Sequence, residues 1–120
     1  MTPLTLAGFE VVPALSGEAI DLVFRGNADM TVSGALRSYL REVDAEAQRQ
    51  HVDVVRVKLG ELYFVSSSGF QALATWLTSV AARQGEGRYR VTFETHPAHP
   101  WQRRSLEAIR RIAPDVIALV

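Results

Sequence analysis

Three consecutive hydroxyls, Ser66, Ser67 and Ser68, stand between the apolar Phe64-Val65 and the pair Gly69-Phe70. An apolar run that turns into serines and a glycine is a strand passing into a helix. Two kinds of chemistry are open to it. Serine oxygens cap the orphan N–H groups of a helix start, and the glycine permits a tight approach. The same strand end in an open α/β sheet is where ligands and partners meet the fold, and backbone N–H groups there attract anions. A nucleophilic serine would need a base. The elbow pattern Gly-x-Ser-x-Gly is absent because no glycine precedes the serines, and His51, His96 and His99 are not tied to the turn by sequence. A serine hydrolase is therefore the weakest reading, behind a small-ligand or nucleotide-binding domain. The spacing His96-Pro97-Ala98-His99 belongs to a proline-stiffened loop and lacks the further ligands of a metal site. No metal or cofactor is expected, and no Gly-rich phosphate cradle is present.

The elements that must position the serines alternate along the chain. Phe9 to Leu15, broken by Pro13, reads as an edge strand, and Ile20 to Phe24 as its hairpin partner. Val32, Leu36, Tyr39, Leu40, Val43 and Ala47 mark one face of a first helix, which Asp29 or Thr31 would cap. Val52 to Leu59 is dense in valine and reads as a central strand covered on both sides, with Leu62 to Val65 as its exit. Phe70, Leu73, Leu77, Val80 and Ala81 line a second helix, stopped by Gly85-Glu86-Gly87. Tyr89, Val91 and Phe93 alternate in another strand. A third helix begins near Trp101, with Leu106, Ile109 and Ala113 inward, and Val116 to Val120 closes the chain as a strand. The order β-β-α-β-α-β-α-β predicts an α/β layer structure: a mixed, mainly parallel sheet with three main helices.

The composition narrows the classes. At 120 residues, with 48% hydrophobic side chains, the chain reads as one domain, residues 1–120, with a core of its own. The absence of cysteine excludes disulfides, thiolate metal sites and cysteine nucleophiles. Thirteen basic residues balance thirteen acidic ones, which disfavours nucleic acid as a partner. Residues 81–120 are mildly basic, with 7 basic against 4 acidic side chains. Arg103, Arg104, Arg110 and Arg111 supply much of this, first as a solvated helix face and only weakly as a surface for an acidic partner or nucleic acid. Trp76 and Trp101 each fall about a quarter-turn off the inner face of their helices, which suits boundary packing or a contact patch. No basic leader and no long apolar run appears, so the expected setting is cytoplasmic, with no membrane contact.

Taken in order, three segments resemble the STAS domain family, the sulfate transporter and anti-sigma factor antagonist domains. They are Phe24-Arg25-Gly26-Asn27-Ala28-Asp29, Val54 to Phe70, and Val91 to Val120. The resemblance spans residues 8–120 and implies a single STAS-like domain. In bacterial members the first serine of a Ser-Ser-Gly turn is phosphorylated by a partner kinase, which switches the domain between partners. Ser67 matches that position, Ser68 and Gly69 the next two, and Ser66 stands where the family has aspartate and is itself a second candidate acceptor. The resemblance thus implies a non-enzymatic signalling module. It would dock an anti-sigma-type serine kinase or a stressosome-like complex through Ser66–Gly69, with Asp29 and Trp76 nearby as contact residues.

Overall fold

The computed structural model describes residues 1–120. The elements are β1 (Leu4–Leu6), β2 (Phe9–Ser16), β3 (Ala19–Ala28), a 3-10 turn (Met30–Val32), α1 (Ser33–Arg49), β4 (Val54–Val65), α2 (Ser67–Ala81), β5 (Arg90–Glu94), α3 (Pro100–Arg110) and β6 (Ile117–Leu119). The six strands form one sheet in sequence order. The β1–β2 and β2–β3 pairs are antiparallel, and β3–β4, β4–β5 and β5–β6 are parallel. The sheet is mixed and mainly parallel, as expected, with three α-helices.

One strand was not expected. β1 pairs with the first half of β2, Leu6 opposite Phe9 and Leu4 opposite Val11. β2 is therefore an inner strand over that half and an edge only beyond it, where Pro13 sits. The missing proline N–H is harmless there.

A second expectation is corrected by the strand order. Three right-handed crossovers that each step one strand the same way place every helix on the same face. Paired residues share a face, and the buried rows are Ile20, Val55, Val91 and Ile117, then Leu22, Val57 and Phe93. The alternate rows are open to solvent and polar. Asp21 lies opposite Arg56 and takes a hydrogen bond from its Nε at 2.6 Å, with the Lys58 ammonium 3.8 Å away. Arg25 pairs with Glu61 and reaches Glu10 at 3.4 Å. β4 is covered on one side only; Arg56 and Lys58 are the alternation that its valines obscure.

The sheet is also pinned at its antiparallel corner. Gly26 has φ +94°, and a Cβ there would stand 2.1 Å from the Gly8 carbonyl oxygen. That carbonyl accepts the Asn27 N–H at 2.8 Å, so neither backbone is free to retreat. Gly26→Ala is expected to cost at least about 2 kcal/mol, from left-handed strain and overpacking together. A denaturation midpoint equal to that of the unsubstituted protein would refute this.

Candidate functional site

β4 runs twelve residues and delivers the serines at its C-terminal end, beside the C-terminal end of β3. The Ser66 N–H donates to the Ala28 carbonyl at 2.8 Å, which ties the turn to β3. Ser66 is the N-cap of α2: its backbone is extended and its Oγ accepts the Gly69 N–H at 3.1 Å. Gly69 is buried, and a Cβ on it would come within 2.8 Å of a Val65 methyl, so the first turn of α2 packs directly on the strand it follows.

The three hydroxyls have three different situations. Ser66 Oγ is committed to the cap. Ser68 Oγ lies 3.1 Å from Ser66 Oγ and 2.5 Å from Ser33 Oγ, at the start of α1. Ser33 is itself buried and donates toward the Asp29 carbonyl at 3.4 Å. Ser67, the first residue of α2, is exposed, and none of the turn's hydrogen bonds uses its hydroxyl. No imidazole or carboxylate side chain hydrogen-bonds any of the three. His51 lies beyond α1, and His96 and His99 lie in the β5–α3 loop. The arrangement provides an accessible hydroxyl at a helix N-terminus and no base to activate it.

Asp29 is exposed on the approach to α1, but it caps the 3-10 turn rather than α1. Its carboxylate accepts the Thr31 hydroxyl at 2.5 Å and the Thr31 N–H at 2.9 Å. The Thr31 hydroxyl, and after it the Thr31 backbone, hold the Asp29 carboxyl below its usual pKa.

Large apolar side chains are exposed at the same end of the sheet as Ser67. Met30 is 76% exposed, Tyr63 58% and Phe64 50%. Met30 follows β3 and Phe64 pairs with Asn27 of β3, so the three belong to the same end of the sheet. Two ring contacts join this end to α3: Tyr63 meets the His99 ring edge-on at 5.3 Å, and Phe70 meets Trp101 at 6.5 Å. Trp101 is boundary packing.

Trp76 is corrected as a partner contact. It is only 5% exposed, and its indole N–H donates to the Tyr89 hydroxyl at 2.8 Å. Leu73, Trp76, Leu77 and Val80 form the i, i+3, i+4, i+7 stripe of a core face, a signal already present in the spacing. A residue that sequence reasoning missed is Gln102, fully buried in α3. Its amide donates to the Leu59 and Leu62 carbonyls at 2.8 and 2.9 Å, and its oxygen accepts the His96 N–H at 3.0 Å. It holds the loop before α3 against β4 just ahead of Tyr63 and Phe64.

No family model and no curated protein matches the sequence. Solved structures do match. An anti-sigma factor antagonist from Mycobacterium paratuberculosis is 15% identical with a TM-score of 0.63, over 92% of this chain and 85% of that one. The Bacillus cell fate determinant SpoIIAA, in its phosphorylated form, is 16% identical with a TM-score of 0.58, over 93% and 90%. SpoIIAA in its unphosphorylated form, described as an anti-sigma factor antagonist, gives 18% and 0.53, over 87% and 96%.

The chain has the STAS fold. Its Ser66–Gly69 turn lies where the central parallel strand of that fold passes into α2, at the C-terminal end of the sheet. No helix is long and apolar enough to cross a membrane, and no group of three or more His, Asp or Glu side chains is placed to hold a metal ion.

Proposed function

We propose that this protein is a non-enzymatic regulatory module that docks a protein partner at the Ser67 end of its sheet, with Ser67 as the phosphoacceptor. The observation that carries the reading is the division of labour among the serines. Ser66 and Ser68 are held by hydrogen bonds within the turn and to Ser33, whereas Ser67 is exposed and unengaged at an end of the sheet that also exposes Met30, Tyr63 and Phe64. This favours Ser67 over Ser66 as acceptor. One of the similar structures is of a phosphorylated antagonist, which supports the same reading by analogy of fold. The fitting partners are an anti-sigma-type serine kinase or a stressosome-like assembly.

A phosphate adds about −1.5 to −2 charge at pH 7. At the N-terminus of α2 that charge faces the positive end of the helix, so the fold tolerates it and the docking surface gains a negative charge. Ser67→Ala is therefore expected to abolish phosphate incorporation while changing stability by less than about 0.5 kcal/mol. Ser67→Asp is expected to stabilise α2 by about 0.3–1 kcal/mol and to weaken or redirect partner binding. Intact-mass spectrometry of protein from its own cells, with denaturation of both variants, checks this. A phosphate that persists in Ser67→Ala would overturn the assignment, as would its absence under every growth condition together with unchanged binding by Ser67→Asp.

A further inference from the structure

At the same end of the sheet as the Ser67 turn, the β5–α3 loop and the first turns of α3 enclose an open cleft of about 710 Å³. Thr95, His96, His99, Arg103, Arg104 and Val120 line it, and no Asp or Glu side chain does. Arg103 and Arg104 are exposed and belong to none of the ion pairs that engage Arg25, Arg49, Arg56, Arg83, Arg88 and Arg110. Glu107, one helical turn on, is within reach of either residue by spacing. It is instead committed to Arg110, whose Nε and Nη2 donate to it at 3.1 and 2.9 Å. Two guanidinium groups thus face the cleft without an acidic side chain to pair with.

The cleft is continuous with the apolar end of the sheet, because His99 lines it and stacks edge-on against Tyr63. A cationic cleft joined to an apolar shelf fits an acidic protein segment with an apolar residue in it. Nucleic acid fits less well: binding it with useful affinity takes many neutralised phosphates, and this chain offers two free cations here and no net charge. We infer that the partner engaging the Ser67 turn also lays an acidic segment into this cleft, its carboxylates on Arg103 and Arg104 and its apolar side chain on Tyr63. The inference rests on the docking reading above and adds the chemistry of the partner.

The test is a titration of the isotope-labelled protein with a short Glu/Asp peptide carrying a central leucine, followed by amide shifts. A Lys counterpart of the peptide and oligothymidine serve as parallel probes. The acidic peptide is expected to move the amides of residues 95–104 and of Tyr63 saturably. Its affinity is expected to fall at least about tenfold in the double variant Arg103→Glu, Arg104→Glu, and severalfold between about 50 and 300 mM salt. The variant's spectrum should otherwise match the parent, because both side chains are exposed. No shift at the cleft, equal binding of the Lys peptide, an affinity indifferent to the charge reversal, or tighter binding of oligothymidine would each overturn the inference. Ser67 plays no part in this titration. Failure of the peptide therefore counts against the cleft alone, and failure of the Ser67 variants counts against the docking reading alone.

Discussion

Gln102→Leu is expected to destabilise the protein by about 3–5 kcal/mol, although the side chains are close in size. The native amide satisfies three backbone groups from inside the core: the Leu59 and Leu62 carbonyls and the His96 N–H. Those carbonyls lie at two irregularities in β4. Between the pairs Val23–Lys58 and Arg25–Glu61, Leu59 and Gly60 stand against the single residue Phe24. A second irregularity follows between the pairs Gly26–Leu62 and Asn27–Phe64, and Gln102 takes up one carbonyl at each. Leucine leaves two buried carbonyls unpaired at about 1–3 kcal/mol each and frees the part-buried His96 N–H, offset in part by its own apolar burial. Gln102→Glu tests the same contact with a different sign. A carboxylate facing two carbonyls is driven to protonate, so this variant should gain stability relative to the parent as the pH falls. Urea denaturation at neutral and acid pH measures both. A loss below about 1 kcal/mol for the leucine variant would show that water replaces the amide.

Asp44→Ala is expected to cost about 3 kcal/mol, a fall in Tm of roughly 10–15 °C for a chain of this size. Asp44 projects from α1 and accepts from the Tyr89 hydroxyl and from Arg83 Nη1, both at 2.7 Å, and from Gln48 at 3.2 Å. Arg83 also donates to the Gly87 carbonyl at 3.0 Å, and Tyr89 in turn accepts from Trp76. One carboxylate thus joins α1, the α2–β5 connection and the entrance to β5. Its side chain is 16% exposed and that of Arg83 25%, so removing it strands a half-buried cation and a buried phenol. Burial alone would raise the Asp44 pKa, but the hydrogen bonds from Arg83 and Tyr89, the Arg83 charge and Gln48 outweigh it and hold the carboxyl below its usual value. A carboxyl depressed in the folded state contributes stability above its unfolded pKa of about 3.9 and loses it as the pH falls through the folded value. Tyr89 stays a donor throughout, because burial and then the bond to Asp44 push its phenol far above the usual range. The stability gap between the parent and Asp44→Asn should therefore be about 1–2 kcal/mol at pH 7 and shrink below about pH 4. A gap independent of pH would assign the effect to shape rather than charge.

The sequence by itself determined five of the six strands, the three α-helices and their order, with the serine turn at the junction of β4 and α2. The helical stripe Val32, Leu36, Tyr39, Leu40, Val43, Ala47 is buried throughout, and so are Leu106, Ile109 and Ala113. Spacing is a property of neighbours in the chain, and a period of 3.6 or 2 needs no partner to be read. The same stripe extended backwards, Gln102, Leu106, Ile109, Ala113, already places a polar side chain in the core. β1 was beyond this kind of reading because three residues carry no period and become a strand only by pairing with β2.

The tertiary structure alone decided which face of β4 is covered, since that follows from the direction of three crossovers and not from any one strand. It alone decided what Gln102 holds, because the carbonyls it binds are 43 and 40 residues away along the chain. It alone told the serines apart. Three identical side chains in a row have the same local chemistry; Ala28, Ser33 and the first turn of α2, brought together by the fold, bury or bond Ser66 and Ser68 and leave Ser67 to the solvent.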